Sequence, residues 1–153
     1  MNETDILQRI QTDMTAAMKS KDAGTLSTLR MLKTALMEAK TKKPKDAGLS
    51  ADEAIEVLQR YAKKRREAIE EFRKVGRDDL VASEEQEIRV TARYLPQELG
   101  EDELRALVRE AVTKTGAAGI KDMGRVIGAV MAQARGRADG GTVSRLVKEI
   151  LGG

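Results

Sequence analysis

Only three aromatic side chains occur in 153 residues, Tyr61, Phe72 and Tyr94, although hydrophobic residues make up 41% of the chain. The core must therefore be aliphatic, drawn from Leu, Ile, Val, Met and Ala, most of which favour helix. Sheets draw instead on β-branched and aromatic runs, and few are present. The apolar positions also recur every three or four residues. After Thr4 they fall at Ile6, Leu7, Ile10, Met14, Ala17 and Met18, one face of a first amphipathic helix. A break at Gly24 precedes a second helix over about 25–43, with Leu26, Leu29, Leu32, Leu36 and Met37 inward. Pro44 and Gly48 mark a mobile, lysine-rich loop.

Ser50-Ala51-Asp52-Glu53 is a capping box, because serine and the glutamate three residues on can satisfy each other's free backbone donors. It opens a long third helix ending near Gly76. Ser83-Glu84-Glu85-Gln86 has the same form and predicts the start of a fourth helix, which Pro96 stops after Tyr94-Leu95. Residues 96–100 read as a hinge. Three short apolar repeats follow, around Leu104–Val112, Met123–Met131 and Val143–Leu151, separated by glycine-rich turns. The expectation is an all-α chain: a helical N-terminal bundle over 1–96 and a small three-helix C-terminal domain over 97–153.

Several kinds of chemistry drop out. With no cysteine there is no disulfide framework or thiol nucleophile, and with no histidine the commonest metal ligand and general base are absent. No apolar run is long enough to span a membrane, and the acidic Met1-Asn2-Glu3-Thr4-Asp5 is unlike a secretory signal, so a reducing cytoplasm is expected. Gly119 and Gly124 have the spacing of a phosphate loop, but Arg125-Val126 follows where lysine and Ser/Thr are required. The serines sit at caps or on helix surfaces, and Ser20 and Lys21, being adjacent, do not face each other on a helix. We expect no catalytic residue, no cofactor and no metal.

Charge is unevenly spread. Residues 1–59 balance, with nine basic and nine acidic groups; residues 60–77 carry eight against three; residues 78–103 carry two against nine; residues 104–153 carry nine against four. Two basic segments thus flank an acidic one, either as helix faces that pair with each other or as cationic surfaces for a polyanion. The densest cluster is Lys63, Lys64, Arg65 and Arg66. At 100° per residue Arg65 falls on the apolar stripe of Ile55, Leu58, Ala62, Ile69 and Phe72, Lys64 points away, and Arg66 sits at the edge. A charge on that stripe needs a partner, such as Glu38, or else binds an anion in an interhelical groove. The second cluster is Lys121, Arg125, Arg135 and Arg137, at the two ends of a helix on which Gly124, Gly128 and Ala132 share a face. Such a face serves close helix packing or lets a sugar–phosphate chain approach. The two later arginines also lie near the start of the last helix, whose free N–H groups favour anions.

These stretches resemble the YqeY family, small bacterial proteins related to the C-terminal tail of the B subunit of tRNA-dependent amidotransferase. The matching segments are Ser27–Leu32, Ala62–Ile69, Tyr94-Leu95-Pro96, Lys121–Gly128 and Gly136–Gly140, in the family's order over nearly the whole chain. The resemblance implies a helical N-terminal subdomain and a three-helix C-terminal one. It also implies contact with tRNA, since the amidotransferase tail touches tRNA and a similar module is fused to some glutaminyl-tRNA synthetases. The catalytic domain of the B subunit has no counterpart here. The resulting expectation is a noncatalytic module that binds or presents tRNA to a synthetase or amidotransferase subunit, by phosphate and shape rather than by stacking on bases. The alternatives are a protein-interaction adaptor and an accessory to a glutamine-dependent carbon–nitrogen ligase.

Overall fold

Each apolar repeat closes into a helix in the computed structural model, which describes residues 3–152. Seven α-helices follow in order: α1 (Glu3–Lys19), α2 (Ala23–Thr41), α3 (Ala51–Lys74), α4 (Asp78–Ala92), α5 (Glu101–Thr115), α6 (Met123–Ala134) and α7 (Gly140–Gly152). A single 3-10 turn, Ile120–Asp122, leads into α6, and no strand occurs among the described residues. The chain divides into two units, Met1–Leu95 and Pro96–Gly153.

In the first unit Ile6 and Ile10 of α1, Leu29, Leu32 and Leu36 of α2, Leu58 of α3 and Val90 of α4 form one core, closed by Tyr94. The turn between α1 and α2 falls at Lys21, in the left-handed region at φ 58°. The Asp22 carboxylate then caps α2 by accepting from the Thr25 backbone N–H at 3.1 Å. Gly24, where the break was expected, lies inside the first turn of α2. Met18 and Met37 also depart from expectation. Both are exposed rather than buried, because α1 and α2 turn their core faces along the Ile10 and Leu29–Leu36 stripes instead.

At the start of α3 the capping box is complete. Ser50 Oγ accepts from the Glu53 N–H at 3.1 Å, and Glu53 Oε1 accepts from the Ser50 N–H at 2.9 Å. The preceding lysine-rich loop, expected to be loose, is tied down at Lys43. Its ammonium donates to Glu53 Oε1 at 2.6 Å and to the Gly48 carbonyl at 3.1 Å. The second expected capping box is not one: α4 begins at Asp78, and Ser83 lies inside it. Gly76, left-handed at φ 71°, follows the last turn of α3, so the chain re-enters helix just beyond it. Asp78 and Asp79 then sit where the helix dipole favours carboxylates.

The second unit packs Leu104, Val108 and Ala111 of α5 against Val126 and Val130 of α6 and Val143, Leu146 and Val147 of α7. Gly116, left-handed at φ 67°, ends α5. Residues 97–99 are clamped to the α6–α7 turn. Arg137 Nε donates to the Gln97 carbonyl at 2.9 Å, and the Leu99 N–H donates to the Arg137 carbonyl at 2.8 Å. The segment read as a hinge is therefore fastened to the second unit at these two points.

Lys43, together with the capping hydrogen bonds, holds the Glu53 carboxyl down at about 2, against an ordinary 4.5. A depressed carboxylate contributes stability that is fully present above the unfolded value and is lost as pH falls toward the folded one. Glu53→Gln is therefore expected to lower Tm at pH 7, with the deficit shrinking from about pH 4.5 to about pH 2. Thermal unfolding across that range checks it, and a deficit constant with pH would contradict the assignment.

Candidate nucleic-acid interface

The α3 cluster splits into two exposed lysines and two half-buried arginines. Lys63 and Lys64 are exposed and form no ion pair among the described residues, whereas Arg65 and Arg66 are half-buried. Arg65 turns inward, and its partners lie on α4. Nε is 3.3 Å from Glu84 Oε2, Nη1 is 3.9 Å from Glu87 Oε2, and the guanidinium lies 5.0 Å from the centroid of the Tyr61 ring. Tyr61 donates its hydroxyl to Glu87 at 2.7 Å, so four side chains clasp α3 to α4. Glu38, the partner the sequence suggested, is exposed on α2. Periodicity identified the need for a carboxylate but could not say which helix faces Arg65.

Burial pushes the Glu84 carboxyl above its ordinary range, and neighbouring Glu87 adds to this, with Arg65 opposing both. Burial also raises the Tyr61 hydroxyl well above its ordinary 10, with Glu87 contributing. Lys64 lines an open groove of about 340 Å³ between α2 and α3. Two cations in that groove are already matched, Lys43 by Glu53 and Arg60 by Glu56.

In the second unit Lys121 and Arg125 stand at the start of α6, and Arg135 and Arg137 at its end. Arg125 donates to Asp122 Oδ1 at 2.9 Å and to the Thr115 carbonyl at 3.3 Å, tying α6 to the last turn of α5. Its side chain nevertheless stays 60% exposed. The Ala118 N–H and Arg125 hold the Asp122 carboxyl below its ordinary value. Lys121 is exposed with no ion pair among the described residues. Arg135 is also exposed, and its backbone is left-handed at φ 38°. The N–H groups expected to attract an anion at α7 are partly satisfied from within: Asp139 Oδ2 accepts from the Thr142 N–H at 3.1 Å.

The small-residue face of α6 does not pack against another helix. Gly124, Gly128 and Ala132 are exposed, and a side chain added at either glycine would meet nothing within 4 Å. Of the two explanations the sequence allowed, close packing falls away and a bare helix surface stands. Two further cations, Arg109 on α5 and Lys148 on α7, are exposed without ion pairs among the described residues and escaped the sequence reading. Arithmetic could have found them, because the spacing of Glu101 with Arg105, Glu110 with Lys114 and Arg145 with Glu149 matches each acid to another base.

Removing Arg65 would leave Glu84 and Glu87 facing each other, both mostly buried. Arg65→Met is therefore expected to cost about 1–3 kcal/mol of stability, scaled down from fully buried pairs because Arg65 keeps some solvent contact. Glu84 binds its proton more tightly folded than unfolded, so the deficit should be larger at pH 7 than at pH 5. Adding Glu84→Gln should recover part of it. Urea unfolding at both pH values measures this, and an unchanged midpoint would exclude the clasp.

The family described as "Yqey-like protein" matches residues 7–151. A protein of Pyrenophora tritici-repentis named "Altered inheritance of mitochondria protein 41, mitochondrial" is 34% identical over 98% of this chain and 83% of its own length. An uncharacterised protein of Schizosaccharomyces pombe is 37% identical over 53% of this chain and 64% of its own length. The match runs through both helical units, and the chain belongs to the YqeY-like family.

Proposed function

We propose that the protein is a noncatalytic tRNA-binding module whose second unit grips the sugar–phosphate backbone. The observation that carries the reading is where the unpaired cations of that unit stand, since Glu98, Asp102 and Glu103, likewise without ion pairs among the described residues, are confined to the segment before α5 and its first turn. Glu101 and Glu149 are held by Arg105 and Arg145, Glu110 by Lys114, and Asp122 by Arg125, while Asp139 caps α7. Arg109, Lys121, Arg135, Arg137 and Lys148 are left as cations without carboxylate partners among the described residues, and of these Lys121 and Arg135 stand at opposite ends of the bare face of α6. Twelve residues of helix separate those ends by about 18 Å, a span of about three backbone phosphates. Arg125 and Arg137 stay exposed beside them and add charge while also serving as struts.

The aromatic residues support recognition of phosphate and shape over base stacking. Tyr94 is buried with its hydroxyl on Asp13, Tyr61 is committed to Glu87, and Phe72 is half-buried. The resemblance to the amidotransferase tail supports a folded tRNA as the ligand, with a synthetase or amidotransferase subunit as the protein that receives it. Lys63 and Lys64 of the first unit are proposed as auxiliary phosphate contacts.

Affinity for bulk tRNA should fall with salt, with a log–log slope of about 3–4, and should exceed affinity for a DNA duplex. Filter binding from low to physiological salt tests this, and equal binding of both nucleic acids would reduce it to generic polyanion attraction. Arg135→Gly separates charge from structure. It relieves a left-handed residue and should leave stability unchanged or raise it by about 0.5–1 kcal/mol, while weakening tRNA binding several-fold. Unchanged affinity in a variant that folds would remove Arg135 from the interface.

A further inference from the structure

Histidine and cysteine are absent, so no side chain of this sequence ordinarily changes charge between about pH 5 and 8. The α3–α4 clasp contains a group that can. It sets two carboxylates against one guanidinium in a joint where Glu84, Glu87 and Arg65 keep only 16%, 21% and 26% of their side-chain exposure. With all three ionised, the joint carries a surplus negative charge with little water to solvate it. Glu84 is the less supported carboxylate. Its Oε2 and Arg65 Nε are buried and 3.3 Å apart, an ion pair that forms no hydrogen bond. Glu87 instead accepts from the Tyr61 hydroxyl at 2.7 Å. Glu84 and Glu87 stand one turn apart on α4, within hydrogen-bond reach of each other.

From these contacts we infer that the clasp is a proton-operated latch: Glu84 takes a proton from solvent and donates it in a hydrogen bond to the Glu87 carboxylate, which fastens α4 to α3, and losing that proton as pH rises loosens the joint. Arg65 then balances the one charge that remains, on Glu87. Glu53 in the same unit is the opposite case. Lys43 and the Ser50 backbone donate to its carboxylate and hold it down at about 2. Glu84, short of donors, is pushed up by burial, with Arg65 opposing and Glu87 adding. A carboxyl raised by folding contributes stability that is full below its unfolded value, 4.5, and is lost as pH rises through the folded one. The other carboxyls that the fold shifts, Asp22, Glu53, Asp79, Glu101, Glu110 and Asp122, are all lowered, so their effects fall on the acid side. The charges acting on Glu84 are those of Arg65 and Glu87. Elsewhere on α3, Arg73 is drawn to Glu70 and Glu85, Arg66 is half-buried and engaged, and Lys64 is exposed. On α4, Arg89 donates to Gln86. On α2, which also packs against α4, Lys33 turns to Gln11 of α1, Lys40 lies about 20° round the helix from Lys33, and Arg30 and Glu38 are exposed.

The test uses the full chain with glutamate carboxyl carbons isotopically labelled, titrated by NMR through the acid and neutral range. Glu84 should titrate above the ordinary 4.5, and the Glu87 signal should move in the same transition because the proton is shared. Amide hydrogen exchange, corrected for its intrinsic pH dependence, should show the protection of Val90 and Thr91 in α4 falling as pH rises, by at most about tenfold per pH unit for one proton. Val126 and Val130 of the second unit are the internal control and should not follow. Glu84→Gln keeps an N–H donor toward Glu87 at every pH, so it should abolish the upper transition and make the protection of α4 independent of pH. Tyr61→Phe removes the hydroxyl that supports the Glu87 carboxylate and should move the shared transition to higher pH. Glutamates that all titrate at or below 4.5 in the unaltered chain would overturn the inference without any variant. A pH slope that persists in Glu84→Gln, or one equal in both units, would equally overturn it.

Discussion

The helices pack on cores that are almost wholly aliphatic, with Tyr94 the one fully buried aromatic among the described residues, and that constraint shapes the rest of the structure. Aliphatic stripes supply the driving force for packing but little directional information, so helices built this way could slide or rotate against one another. The chain sets register with polar clips placed where the stripes leave off. Arg65 with Glu84, Glu87 and Tyr61 fixes α3 against α4, and Lys43 with Glu53 fixes the loop before α3. Tyr94 on Asp13, with Arg9 over its ring, fixes the end of the first unit against α1. In the second unit Arg125 does the same for the α5–α6 junction, and Arg137 fastens residues 97–99 to the α6–α7 turn. A unit of under 60 residues without disulfide or metal has a small core, and such clips then carry a larger share of its specificity.

That use of arginine also explains why a basic cluster in a sequence overstates the charge available to a ligand. Of the eight candidate residues, Arg65 is a clasp, Arg66 beside it is half-buried and engaged, and Arg125 and Arg137 are struts that remain exposed at their outer edges. Lys63, Lys64, Lys121 and Arg135 carry charge without a carboxylate opposite. The difference is decided by geometry between helices, which spacing along one helix does not encode.

The helices themselves were legible because their signals are local: apolar periodicity, the Ser50–Glu53 box, and Gly116 where α5 ends. Errors arose where a local signal had two structural meanings. Ser83-Glu84-Glu85-Gln86 has the letters of a cap, yet Gly76 had already ended α3 and the helix restarted at Asp78, so Glu84 became an inward carboxylate instead of a capping partner. The Gly124–Gly128–Ala132 face could be packed or open, and only the position of α5 and α7 on the far side of α6 decides for open. Met18 and Met37 matched the helical period within tolerance but fall at the margin of the buried arc, where a rotation of some tens of degrees separates core from surface.

The surface proposed for RNA on the second unit works by a different physics from the core beneath it. The core is held by short-range burial of aliphatic side chains, which salt leaves almost untouched, whereas a phosphate chain there would be held by long-range charge, with affinity that falls steeply as salt rises.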